Sequence, residues 1–175
     1  MKKIFIAPAA FAVFMLGFTG CGKNSGVKAP LKENMTLSYS VETLYKGRRM
    51  DKTDTFRFEN NGGSRFTCIH MVTDEFGTRE ADRLQMDGYF VYNKVLTANV
   101  GHNDIWRNPK ELASGKIKNM AKLKITQGTY NGRDVYTVNW DEGHRAHYAR
   151  DTGICEGYVY EDKARRIKET VKRIH

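Results

Sequence analysis

Asp141, Glu142, His144 and His147 are the densest group of potential metal ligands or general bases in the chain. Imidazole nitrogens and carboxylates hold zinc or move protons when they converge on one point. The spacing of three between His144 and His147 puts both rings on one face of a helix but on opposite faces of a strand. The surrounding residues read as a turn entering a strand, so the expectation is a set of solvated turn residues. The chain has no phosphate-cradling glycine loop, nucleophile elbow or zinc-type cysteine spacing. No catalytic residue, metal site or cofactor is therefore assigned.

The elements that position these residues are short strands. Residues 36–45 alternate Leu37, Tyr39 and Val41 with polar side chains, the pattern of a strand with one buried face, and Lys46-Gly47-Arg48 breaks it. Residues 53–59 carry Phe56 and Phe58, residues 60–64 ("NNGGS") supply a turn, and residues 65–73 return. Further strands are predicted over 83–86, 89–93, 95–99, 123–127, 135–140, 145–149 and 154–160, with Asp87-Gly88 and Asn131-Gly132 as hairpin turns.

One segment has a different period. Asn108-Pro109-Lys110-Glu111 offers an N-cap, a proline at the first helical position and an acid in the first turn. Leu112, Ala113, Ile117, Met120 and Ala121 then follow at helical spacing, with Lys110, Lys116, Lys118 and Lys122 on other faces. This predicts one amphipathic helix, with Ser114-Gly115 in its middle. Ile105 and Trp106 before it either pack its start or form an exposed apolar lip. In the tail, Tyr160, Ala164, Ile167, Val171 and Ile174 fit a helix, while the same residues also allow a final edge strand.

The first residues are unlike the rest. Lys2 and Lys3 precede an almost uncharged run over 4–18, followed by Thr19, Gly20 and Cys21, which is the layout of a secretory signal. The run falls short of the ~20 apolar residues that cross a bilayer. Phe18-Thr19-Gly20-Cys21 resembles the lipobox of bacterial lipoproteins, with Phe18 where leucine is usual. That resemblance implies cleavage before Cys21 and acylation of its thiol and new N-terminus. Acyl chains contribute about 0.8 kcal/mol per buried CH₂, so several chains make a stable anchor. It divides the chain into a signal peptide (1–20), a lipidated cysteine with a flexible tether (21–34) and one β-rich domain (35–175). Gly22 and Lys23 stand where an inner-membrane retention signal would carry Asp, which points to the outer membrane, facing the periplasm.

Two consequences follow for charge and for the other cysteines. The 175-residue chain carries a net charge of +9, and loss of Lys2 and Lys3 leaves 27 basic against 20 acidic residues, or +7. For an exported protein this favours an anionic lipid or envelope ligand, or an envelope protein, and disfavours nucleic acid; a merely solvated basic surface is the plainer alternative. With Cys21 committed to lipid, Cys68 and Cys155 either pair as a disulfide in an oxidising compartment or remain separate buried thiols.

The order of elements, ending in "NGRDVYTVNW", "AHYARDTGICEGYVY" and a basic tail, resembles the unclosed β-barrels of the bacterial lipoprotein-carrier superfamily, the localisation-factor-like proteins. The resemblance implies an α+β, mainly antiparallel β fold: a curved meander or unclosed barrel with one amphipathic helix packed on or capping it, and a strand at the C-terminus. Those carriers usually begin with an amphipathic helix, whereas here the tether runs almost directly into the first strand. Two non-catalytic functions result. The domain binds a lipid or other apolar molecule through Phe56, Phe58, Val91, Trp106, Leu112 and Val138, or it docks to an envelope protein assembly through a basic surface centred on the helix.

Overall fold

The computed structural model describes residues 29–88, 92–95, 105–117, 123–140 and 143–175. Alternating apolar and polar residues make ten strands. They are β1 (Thr36–Tyr45), β2 (Arg48–Asn60), β3 (Arg65–Asp74), β4 (Gly77–Asp87), β5 (Tyr92–Val95), β6 (Lys124–Tyr130), β7 (Arg133–Asn139), β8 (His144–Ala149), β9 (Cys155–Asp162) and β10 (Ile167–Ile174). All belong to one antiparallel sheet ordered β5-β4-β3-β2-β1-β10-β9-β8-β7-β6. Two five-stranded meanders thus meet where β1 pairs with β10, and the sheet is open, with β5 and β6 at its edges. The fold is nearly all-β. The segment expected to be a signal peptide, Cys21 and most of the expected tether lie outside the described residues.

The tail is a strand, but not an edge. Ile167–Ile174 is hydrogen-bonded to β1 on one side and β9 on the other, in the middle of the sheet. Pairing on both sides supplies the backbone partners that a buried segment needs, which decides between the helical and extended readings of a weakly patterned sequence. Strand β4 begins at Gly77, well before the predicted 83–86, because the polar run Gly77–Glu80 shows no apolar alternation yet continues the β3 ladder. Residues 89–91 and 96–100 of the predicted strands lie outside the described residues.

The predicted amphipathic helix is corrected more strongly. Asn108 does cap a helix, its Oδ1 accepting from the Lys110 N–H at 2.9 Å with Pro109 in the first turn, but that helix, α1, covers only Pro109–Ala113. The Ser114 hydroxyl donates to the Glu111 carbonyl at 2.8 Å and Gly115 adopts φ +71°, which ends the helix where continuation was expected. Leu112 is its one buried residue, and Ile117 is buried beyond it in non-helical chain. A five-residue helix has no stability of its own. It is held by tertiary contact and does not cap the sheet.

Turn chemistry sets the register. Lys46-Gly47 and Asn131-Gly132 have positive φ at both central residues (51° and 83°, 51° and 75°), as the tight hairpin turn matching strand twist requires. One face of the sheet carries two apolar clusters. Leu37, Tyr39, Val41, Phe56, Phe58, Phe66, Cys68, Leu84, Met86 and Val171 gather over the first meander and its junction, with Leu31, Ile105 and Ile154 added from outside the strands. Tyr136, Val138, Ala146, Tyr148 and Cys155 gather over the second, covered by Leu112 and Ile117. Cys68 and Cys155 fall in different clusters, and both are buried free thiols, the second of the two readings that the sequence left open. Burial pushes the Cys68 thiol up to about 12, and the neighbouring Asp82 carboxylate adds to the rise.

The segment before α1 is tied to the β8–β9 turn. Trp106 bridges to Ile154, its indole N–H donates to the Thr152 carbonyl at 2.8 Å, and the Arg107 N–H reaches the Gly153 carbonyl at 2.9 Å. Gly153 sits at φ +72°, and a Cβ there would lie 1.9 Å from the Arg107 carbonyl oxygen. Both constraints oppose any side chain. Gly153→Ala is expected to cost at least about 2 kcal/mol, a fall in Tm of roughly 4–8 °C. Thermal unfolding followed by tryptophan fluorescence checks this, and an unchanged Tm would show that the crossing segment adapts freely.

Candidate functional site

Among the described residues, those expected to hold a ligand are spread over two packed clusters and do not line one ligand-sized cavity. Phe56 and Phe58 are buried in the first cluster, Leu112 and Val138 in the second, Trp106 packs against the first, and Val91 lies outside the described residues. The void beside Phe56, bounded also by Tyr39, Asp54, Ile105, Cys155, Tyr158 and Val171, has a volume near 20 Å³. That holds about one water, whereas ligand pockets run to about 300–1,000 Å³. Two tyrosines seal it. Tyr39 donates to the Cys155 carbonyl at 3.0 Å and Tyr158 to the Glu169 carboxylate, and burial raises both phenols well above their ordinary value.

The histidines of the sequence cluster separate. His144 is in register with Tyr160 and its ring lies 4.3 Å from that ring, while His147 is in register with Gly157 and stacks on Tyr130 at 4.1 Å. An odd spacing along β8 puts them on opposite faces. Burial, with Arg145 nearby, lowers the His147 imidazole to about 4, so it is neutral at neutral pH. Its Nδ1 is 2.9 Å from the Thr137 hydroxyl. Asp141 and Glu142 lie outside the described residues, and no group of three or more metal-ligating side chains is arranged to hold a metal ion among the described residues.

A different titratable group sits on the buried face. His70 of β3 is in direct register with Phe56 of β2 and Asp82 of β4, and Asp54 lies two residues along β2 on the same face. The His70 Nδ1 is 3.0 Å from Asp82 Oδ2, its Nε2 is 3.2 Å from Asp54 Oδ1, and the other Asp54 oxygen is 3.0 Å from the Lys52 ammonium. The ring stacks flat on Phe56 at 4.4 Å. Asp54, His70 and Asp82 are all buried. Burial by itself would lower the His70 pKa, but the two carboxylates outweigh it and the imidazole is raised. Burial likewise opposes ionisation of Asp54, yet His70 and Lys52 hold it below the usual carboxylate range. A buried carboxylate–imidazolium–carboxylate relay can store a proton, but the water-sized void beside it leaves no room for a substrate. The sequence signal for it was faint: one polar residue at an inward position in each of three strands.

A second buried charge lies at the end of the sheet where residues 29–35 run. The β8–β9 register slips between His147 and Tyr148, leaving Glu156 as an extra residue, and its side chain is fully buried. Arg173 Nη1 donates to Glu156 Oε1 at 2.7 Å, Arg133 Nη1 lies 3.4 Å from the same oxygen, and His175 Nε2 is 3.0 Å from Oε2. Both arginines also line an open groove of about 320 Å³ with Pro30, Lys32, Glu33, Met35, Thr152 and Ile154. The lining combines apolar Pro30, Met35 and Ile154 with three cations, Lys32, Arg133 and Arg173, and one acid, Glu33.

The relay makes a pH prediction with a definite sign. Because the His70 pKa is raised by folding, its stabilising contribution is complete below the ordinary value of 6.5 and is lost as pH rises through the raised value. His70→Gln should therefore lose about 3 kcal/mol below pH 6.5, as expected when one member of a buried charged set is removed, and progressively less as the pH rises above that range. Urea unfolding of both proteins within and above that range measures the gap; a gap independent of pH rejects a charged His70. No protein-family model matches this chain and no curated protein matches it, so the functional reading rests on its own geometry.

Proposed function

We propose that this chain is a lipid-anchored protein of the bacterial envelope whose β-domain is a non-catalytic interaction module. The observation that carries this reading is the void beneath Tyr39 and Tyr158, which among the described residues has space for about one water and none for an acyl chain. The signal layout before Cys21 supports export and anchoring, and its resemblance to the lipobox supports acylation of that cysteine. Among the described residues no helix is long and apolar enough to cross a membrane. The open antiparallel sheet is compatible with the unclosed-barrel architecture of the lipoprotein carriers, while the one helix among the described residues is short and does not cap it.

One observation favours a second reading. The groove lined by Met35 and Ile154 together with Lys32, Arg133 and Arg173 has the size and polarity to accept a small anionic amphiphile. Native mass spectrometry of the chain from Gly22 onward separates the two readings, since the core residues among the described ones all fall within residues 29–175. The module reading expects the bare polypeptide mass after purification without detergent; a co-purifying lipid, displaced by Ile154→Glu, would replace it with the groove. The anchor is tested in the full chain. Cys21→Ala should move the protein from the membrane to the soluble fraction of the envelope, and retention in the membrane would reject lipidation.

A further inference from the structure

We infer that the paired tips of the β1–β2 and β9–β10 hairpins form a docking surface for an anionic phospholipid bilayer. This deepens the module reading and rests on it. The two turns are neighbours because β1 pairs with β10, and the Lys46 N–H donates to the Arg166 carbonyl at 2.9 Å, tying one tip to the other. Residues Arg48 to Lys52 of β2 extend past the last β3 partner, Thr73, and the β8 pairing of β9 ends at Tyr160.

The projecting residues are rich in cations, with Asp51, Glu161 and Asp162 as the acids beside them. Lys46, Arg48, Arg49, Lys163, Arg165 and Arg166 are exposed, with no acid inside either turn. Arg49 is paired with Glu42 and Asp51, and Arg165 with Asp162. Lys46, Arg48, Lys163 and Arg166 have no carboxylate within salt-bridge distance among the described residues, and the Lys46 ammonium rests over the Tyr45 ring, 5.1 Å from its centre. Between the cations stand two of the large apolar side chains that the fold leaves in solvent, Tyr45 (39% exposed) and Met50 (45%). Within the short helix α1 Lys110 is the one cation, and Lys118 and Lys122 of the expected longer helix lie outside the described residues.

Size decides between a protein and a bilayer as the partner. Four strands spaced about 4.8 Å apart present an end roughly 20 Å wide and about 10 Å thick, near 200 Å², against the ~800 Å² per partner of a stable protein interface. A bilayer needs no matching shape. Each cation close to an anionic surface strengthens binding about fivefold, and Tyr and Met beside long basic side chains suit the headgroup boundary, where apolar parts insert and charges stay in water. The tip lies at the far end of the ten-residue β1 from Ala29, about 30 Å away. It would therefore contact lipid at a point separate from the anchor at Cys21.

The test uses the chain from Gly22 onward, which carries no acyl group, and vesicles of phosphatidylethanolamine with or without about one-third phosphatidylglycerol. Co-sedimentation is expected with the anionic vesicles alone, weakening steeply between about 50 and 300 mM salt. Arg48→Glu with Lys163→Glu should reduce binding at least about twenty-fivefold, Tyr45→Ser with Met50→Ser several-fold, and the control Arg65→Glu with Lys116→Glu, which makes the same charge change away from the tips, far less. Equal binding to both vesicle types, insensitivity to salt, or equal loss in the control would overturn the proposal; the salt dependence of the unmodified chain decides it even if a variant fails to fold. A bound amphiphile in the native mass spectrum would instead sink the module reading, whatever the vesicles show.

Discussion

The pairing of β1 with β10 holds the molecule together. Each meander could form from local hairpins, but the two become one sheet through a ladder running from Ser38↔Ile174 to Tyr45↔Ile167, between segments more than a hundred residues apart. Closing a loop of that length costs about 4 kcal/mol of chain entropy, so the ladder must bring burial with it. Val41 faces Val171 across the junction, Tyr39 reaches over it to the Cys155 carbonyl, and Tyr158 reaches Glu169. The same junction sets the two basic hairpin tips side by side and brings Arg173 to Glu156.

Charge is buried on both sides of this junction, in different ways. His70 lies between two carboxylates on the inner face of the first meander, with Lys52 as a further cation at Asp54. Glu156 is held by Arg173 and Arg133 on the second, and His175 at the chain end reaches its other oxygen. Burial of ions in this manner seldom adds net stability over apolar packing, whereas removal of one partner is costly. Both networks therefore favour one register over its neighbours: a one-residue slip of β3 would turn His70 away from Asp54 and Asp82. Histidine adds pH dependence of opposite sign at two places, since His70 is raised by its carboxylates and His147 is lowered by burial.

Much of the strand content was legible because it follows from local chemistry. The alternation of Leu37, Tyr39 and Val41 marked β1 at its observed bounds, and Asn131-Gly132 marked the β6–β7 turn. The N-cap at Asn108 was also legible, yet the length of α1 was not, because apolar spacing continued through Ile117 while Ser114 and Gly115 ended the helix. The outward-facing polar half of β4 and the solvent-surrounded start of β2 show no alternation, so their true lengths had no local signal. Asp54, His70 and Asp82 escaped for a related reason: single polar residues at inward positions look like interruptions of a pattern until register sets them opposite one another.

The sequence by itself determined which segments are extended, where the tight turns fall and that the chain is basic, because these depend on neighbours a few residues away. Only the tertiary structure decided that the last strand is central, that Cys68 and Cys155 stay apart, that the void beside Phe56 is water-sized and that the β1–β2 and β9–β10 turns lie side by side. Each of these depends on a contact between residues remote in the chain, and strand order is chosen by the total burial that the whole sheet achieves.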